Sequence, residues 1–314
     1  MLAQDLDPAT PLAAALFALP PRRDDALPLR LAGGLHALAR SGDALAQAYP
    51  PHQVDDTTLR ATLRRAVTER AATLLPWLAR APQTNEVARS AVLIAAGHWL
   101  TARFGLPLVL SELGASAGLN LLWDHYALSV QGRTFGPDTP ALALSPDWRG
   151  PAPPLAPPRV ADRAGVDLSP LDPDRDRHRL MAYVWADQAA RLSRAEAALT
   201  LAARLRPPVD QADAAPWLEA RLASPRPGQL HLVFHTVAAQ YFPPETLARV
   251  TAALAKAGAR ATPQAPLAHL QMEGDGASPS AVLTLTLWPG GQTLPLGRAD
   301  FHGRWVDWQA PDAP

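Results

Sequence analysis

The segment from Leu108 to Tyr126 constrains this chain more than any other. Leu108-Val109-Leu110 is a short apolar run with a β-branched residue, which predicts a buried strand. Ser111-Glu112-Leu113-Gly114-Ala115-Ser116-Ala117-Gly118 then supplies small residues, and Leu119 to Tyr126 resumes helical character. A strand that ends in a small-residue turn and feeds a helix builds a ligand site by backbone geometry. The missing side chains let a ligand approach the main chain, and unpaired N–H groups at a helix start attract an anion. In an open parallel sheet this crevice lies at the carboxyl ends of the strands. No Gly-Lys-Ser/Thr follows, so a phosphate-gripping P-loop is excluded.

The flanks supply the layers around that strand. Residues 1–105 read as helices. Leu59, Leu63, Val67, Leu74, Leu75 and Leu78 fall close to helical spacing between 55 and 80, with Asp55 or Asp56 as the N-cap. A second helix begins near Asn85, with Asn85 as its cap, and ends at Gly105 before Pro107. Beyond residue 106, strands are expected near 127–130, 141–145, 165–168, 230–235, 281–288 and 301–308. Pro151 to Pro158 marks a stiff surface connection. One long helix is expected from Asp174 to about Arg206, stopped by Pro207-Pro208. Another opens at Pro243-Pro244-Glu245 and closes at Gly258. The pattern predicts a helical region over 1–105 and an α/β domain over 106–314.

Charge and composition remove whole classes of function. Lys plus Arg and Asp plus Glu balance at 29 each, so a general electrostatic grip on nucleic acid or an acidic membrane is not expected. Cysteine is absent, which excludes disulfides, thiolate catalysis and cysteine-bound metal clusters. Asp5 and Asp7 stand where a signal peptide carries positive charge, and no apolar run reaches bilayer-spanning length. A cytoplasmic protein acting on a small molecule is the expectation, with the oligomeric state unread.

Glu112-x-Gly114-x-Ser116-x-Gly118 resembles the first motif of class I S-adenosylmethionine-dependent methyltransferases, acid-x-Gly-x-Gly-x-Gly, with Ser116 in place of the middle glycine. The resemblance implies a Rossmann-like sheet with a C-terminal antiparallel strand pair (Thr284–Trp288 with Gly303–Trp308) and S-adenosylmethionine as cofactor. It implies that Glu112 faces the methionine ammonium and that Gly114, Ala115, Ser116, Gly118 and Asn120 form the cradle. Asp167, at the end of the next parallel strand, would accept from the ribose hydroxyls. Leu232 to Thr236 with Gln240-Tyr241-Phe242 looks like the fourth-strand region, which makes His235, Gln240 and Tyr241 acceptor-side candidates, His235 as general base. The wording from Glu112 to Leu122 with Trp123-Asp124-His125-Tyr126 is also similar to a bacterial family of domains of unknown function. Asn85-Glu86, Arg89-Ser90, Trp185-Ala186-Asp187-Gln188 and His302-Gly303-Arg304-Trp305 resemble further phrases of that family.

Two other functions stay open on the residues alone. Gly114-x-Ser116-x-Gly118 also matches a serine-hydrolase nucleophile elbow, with Asp275 and His302 to complete a triad. A non-catalytic or regulatory protein that binds S-adenosylmethionine is the third. His231 and His235 are four apart, but on a strand that is about 13 Å, too far to share a metal ion; no metal is expected. Asp187 and Arg191 suggest a helix-surface ion pair, or, with Trp185 and Gln188, a projection into the cofactor crevice. Glu86 and Arg89 are candidates to close the substrate side, and Trp305 and Trp308 for core packing or an aromatic wall.

Overall fold

Asp55 starts the first periodic helix as expected: its carboxylate accepts the Thr58 N–H at 2.9 Å. The computed structural model describes residues 11–18 and 26–312, and Asp5 and Asp7 lie outside the described residues. Among the described residues four α-helices come first: α1 (Pro11–Ala18), α2 (Leu27–Arg40), α3 (Asp56–Glu69) and α4 (Ala71–Leu78). The single helix expected over 55–80 is thus two, divided at Arg70. A 3₁₀ turn (Val87–Arg89) then leads into α5 (Ser90–Phe104), which ends on Gly105 at φ +65°. The left-handed backbone there is open to glycine at no steric penalty.

The α/β part follows. β1 (Leu108–Leu113) is buried along its whole length and runs three residues beyond the apolar triplet. The segment expected to be a helix after it is a 3₁₀ stretch, Asn120–His125, with a non-helical kink at Leu122. Next come β2 (Ala127–Val130), β3 (Arg133–Phe135), β4 (Ala143–Leu144), β5 (Asp147–Arg149) and β6 (Val160–Asp167). The long helix expected over 174–206 is broken into α6 (Arg177–Ala182) and α7 (Ala189–Leu205). Then follow β7 (Val209–Gln211), α8 (Ala214–Arg221), β8 (Leu230–Thr236), α9 (Pro244–Gly258), β9 (Leu267–Gly274), β10 (Ala281–Trp288), β11 (Gln292–Ala299) and β12 (Trp305–Trp308).

Among the described residues nine strands form one sheet in the order β5-β12-β11-β10-β9-β8-β1-β6-β7. Strands β7, β6, β1, β8 and β9 are mutually parallel, and β9 to β12 form an antiparallel meander. The terminal strands read from sequence, β10 and β12, therefore do not pair: β11 lies between them. β2, β3 and β4 make a separate small sheet. The fold is mixed α/β around a large, mostly parallel sheet.

The chain divides into two compact units, Met1–Thr84 with Arg175–Glu196 and Asn85–Asp174 with Ala197–Pro314. The first holds a helical core built on Leu35, Leu45, Val67 and Leu74. In the second, Leu113, Val166, Val233 and Leu267 present one sheet face to α8 and α9, where Leu218, Val250 and Leu254 pack against them. Among the described residues, no helix is long and apolar enough to cross a membrane.

Candidate functional site

Strand order reverses at β1. From it the chain goes first to β6 and β7 on one side, then to β8 and β9 on the other. Ligands of open α/β sheets bind outside the carboxyl ends of the strands at such a point. The Glu112–Asn120 segment stands there, and its backbone takes three left-handed positions, Gly114 at φ +74°, Ser116 at +54° and Gly118 at +71°.

Five N–H groups of that loop are already engaged. Gly114 and Ala115 donate to the Val166 carbonyl at 2.9 and 3.0 Å, and Gly118 donates to that of Ala115 at 2.7 Å. The Ser116 N–H donates to Asp167 Oδ2 at 2.8 Å, and the Leu119 N–H to Asn85 Oδ1 at 3.1 Å. Most amides of the expected cradle are therefore satisfied within the chain, and the segment that follows is 3₁₀ rather than α-helical. Asp167 ties the loop to the end of β6, its other oxygen accepting from the Ser169 N–H at 2.9 Å. Asn85, read as a helix cap, instead reaches across to this loop, and Glu86 caps the turn through the Ala88 N–H at 3.2 Å.

Glu112 and the Ser116 hydroxyl stand apart from these satisfied groups. Glu112 is 2% exposed, and its Oε2 is buried with no hydrogen-bond partner. Register puts it on the sheet face of Gly165 and Phe234. A β-carbon on Gly165 would lie 2.6 Å from that of Ala115, so only glycine lets the loop settle over this face. Burial, with the Asp167 charge adding to it, pushes the Glu112 carboxyl well above its ordinary value, against a smaller pull from Arg89. The Ser116 hydroxyl is likewise buried without a partner.

A clasp of polar groups surrounds the pair. Arg89 donates to the carbonyls of Thr236 and Phe301, both at 2.8 Å, joining the end of β8 to the 300–304 turn. Ser90 Oγ donates to Asn120 Oδ1 at 2.7 Å. His302 Nδ1 stands 3.7 Å from Glu86 Oε2. The phrases at 85–90, 112–120 and 302–304, far apart in sequence, thus meet at one place.

The acceptor-side candidates do not join this cluster. His235 follows Phe234 and so points to the opposite face of the sheet from Glu112. There its Nδ1 pairs with Glu273 Oε1 at 2.6 Å, and the same oxygen accepts the Ala238 and Ala239 N–H groups at 2.9 and 3.2 Å. His269 stacks obliquely at 5.1 Å. Gln240 is exposed and Tyr241 is 76% exposed on a one-turn 3₁₀ segment. No sequence signal marks Glu273, because β9 carries no turn or motif that distinguishes it.

The hydrolase triad is not assembled. Asp275 is held by Arg298 in a two-pronged pair at 2.9 and 3.0 Å, His302 neighbours Glu86, and no histidine bonds the Ser116 hydroxyl. His231 bonds Ser111 Oγ at 2.8 Å, and burial with Arg221 nearby lowers its pKa to about 3. No group of three or more metal-ligating side chains occurs among the described residues. Trp308 is core, while Trp305 carries Arg149 at 6.0 Å over its ring. Arg191 bonds Gln188, and its expected pair with Asp187 is not formed.

Fold and site together define a mixed α/β protein with a buried acidic site at the switch point of a mostly parallel sheet. Residues 1–308 match the family described as "Uncharacterized protein conserved in bacteria (DUF2332)", and the chain belongs to that family. Neither a curated protein nor a solved structure gave a match.

Proposed function

We propose that this protein binds S-adenosylmethionine at the carboxyl ends of β1 and β6 and transfers its methyl group to a small molecule. The observation that carries the reading is the Glu112 carboxyl, buried at the end of the central strand with an oxygen that has no donor. Leaving such a group unpaired costs about 1–3 kcal/mol, which a cationic ligand group would offset. Because most of the loop amides are spent and an acid is buried beside them, recognition here favours a cation over a phosphate. Asp167 ends the strand beside β1, and a carboxylate at that position suits a ribose diol, whose hydroxyls donate.

Strain supports the same place. Ser116 after β1 and Val237 after β8 both hold positive φ, +54° and +54°, and a β-branched residue rarely does so. Such positions concentrate at ligand sites. The cofactor supplies an electrophilic methyl, so the chain has only to align the partners and keep water out. His235 stands on the other face, and its bond to Glu273 fits a role in holding the 238–239 backbone.

Calorimetry with S-adenosylmethionine and S-adenosylhomocysteine tests the proposal. Binding of both is expected, weakened about tenfold or more by Glu112→Gln, the scale of a lost charge-assisted hydrogen bond. No heat and no thermal shift with either ligand at near-millimolar concentration would end it. Binding without turnover on any candidate acceptor would leave the non-catalytic form of the same reading.

A further inference from the structure

Within the smaller unit the chain breaks a helix for no local reason. Residues 177–205 contain neither proline nor glycine, yet α6 stops at Ala182 and α7 resumes only at Ala189. The break is held by tertiary contacts. His36 Nδ1 lies 3.1 Å from the Ala182 carbonyl, one of those that the interrupted helix leaves over. Since a carbonyl only accepts, that nitrogen carries the proton; desolvation lowers the pKa of the ring, keeping it neutral. Gly33 has no side chain because the Tyr183 ring occupies the space, 2.6 Å from where a β-carbon would be.

What the break builds is one wall of a cavity of about 330 Å³, at the small end of ligand-pocket sizes. Leucines of α2 and α3 form its apolar part, and Tyr49, stacked on His36 at 5.9 Å, forms an aromatic side. Tyr183 and Trp185 line the remainder. The Tyr183 hydroxyl is buried without a partner, and Trp185 is 49% exposed, unusual for the largest apolar side chain. Asp187 is the one formally charged residue in the lining, and no described residue pairs with it.

We infer that this cavity is a second ligand site, for a small organic ammonium ion. Aromatic faces attract a cation through their quadrupoles, and a carboxylate without a countercharge at the rim supplies the rest. The sequence 183–188 leaves helical geometry to bring Trp185 and Asp187 to that opening.

Choline and its uncharged carbon isostere, 3,3-dimethyl-1-butanol, separate charge from shape in calorimetric or NMR titration of the full chain. Choline should bind saturably with a millimolar Kd, and the isostere about tenfold more weakly. Trp185→Ala and Asp187→Asn, both at exposed positions, should each weaken choline about five- to tenfold without moving the melting temperature. Glu112→Gln should leave choline binding unchanged, whatever it does to S-adenosylmethionine. Equal binding of the two probes, no saturation by about 50 mM, indifference to Trp185→Ala, or loss of choline binding in Glu112→Gln would each overturn the inference.

Discussion

Two glutamates end strands of the same sheet, and their surroundings give them opposite chemistry. Glu273, closing β9, is buried enough that desolvation alone would raise its carboxyl, yet the His235 ring and two backbone amides reverse the sign and hold it lowered. Glu112, near the end of β1, has burial and the Asp167 charge against it, and only a modest pull from Arg89 in its favour. Partner count together with depth decides which carboxyl is ionised. Each keeps a buried Oε2 without a partner, but Glu273 has three donors on Oε1 that give it a structural task, whereas Glu112 accepts no hydrogen bond from the described residues.

Breaking the Glu273 side of this contrast should produce the largest effect. Glu273→Ala leaves the His235 ring and the Ala238 and Ala239 amides without their shared acceptor. Loss of a buried hydrogen-bonded charge of this kind destabilises by about 3 kcal/mol. Urea unfolding at neutral pH should show it as a lower midpoint with an unchanged slope. A loss under about 1 kcal/mol, within the range of an ordinary single hydrogen bond, would mean that the carboxylate does not hold this end of the sheet.

The pH dependence of the two glutamines sharpens the comparison at a smaller scale. For Glu112 the folded pKa is raised above the ordinary 4.5, so the native state keeps a proton that the unfolded chain releases. Its contribution is complete below about pH 4.5 and is lost as pH rises through the folded value, by up to about 1.4 kcal/mol per pH unit. Glu112→Gln removes that loss, so the variant should gain on the parent as pH rises above about 4.5 in ligand-free protein. Glu273→Gln should behave inversely, because a lowered carboxyl stabilises above its unfolded value and loses that as pH falls. Parallel stability curves for Glu112→Gln and the parent would show that Glu112 is ionised in the free protein.

Which of these features the sequence reveals depends on how local their causes are. The β1 strand, the left-handed glycines after it, the Asp55 cap and the Gly105 stop each rest on a few adjacent residues, and each is found where the residues predict it. The helix break at 183–188 is invisible because its cause, His36 bonded to the Ala182 carbonyl, lies 146 positions away. Asn85 looks like a cap but serves Leu119, 34 residues on. β11 hides behind Pro295 and a bulge that only glycine permits, Gly297 at φ +109°. The buried carboxyl itself was legible as a residue, whereas its lack of a donor is a property of the whole sheet.

Ser116 supplies the smallest and most local test. The motif that its neighbours resemble places glycine here, and Ser116 holds φ +54°, a region that costs a side-chain-bearing residue about 1–2 kcal/mol. Glycine relieves that strain but loses more backbone freedom on folding, a penalty of about 0.5–1 kcal/mol. Its hydroxyl is buried without a partner, so removing it adds a further gain. Ser116→Gly should therefore raise stability by about 0.5–1 kcal/mol, a shift of a few degrees at most in the melting temperature. It should leave S-adenosylmethionine binding intact, since the Ser116 N–H that bonds Asp167 survives the change. A destabilised Ser116→Gly protein would mean that the hydroxyl makes a contact worth more than the strain it accompanies.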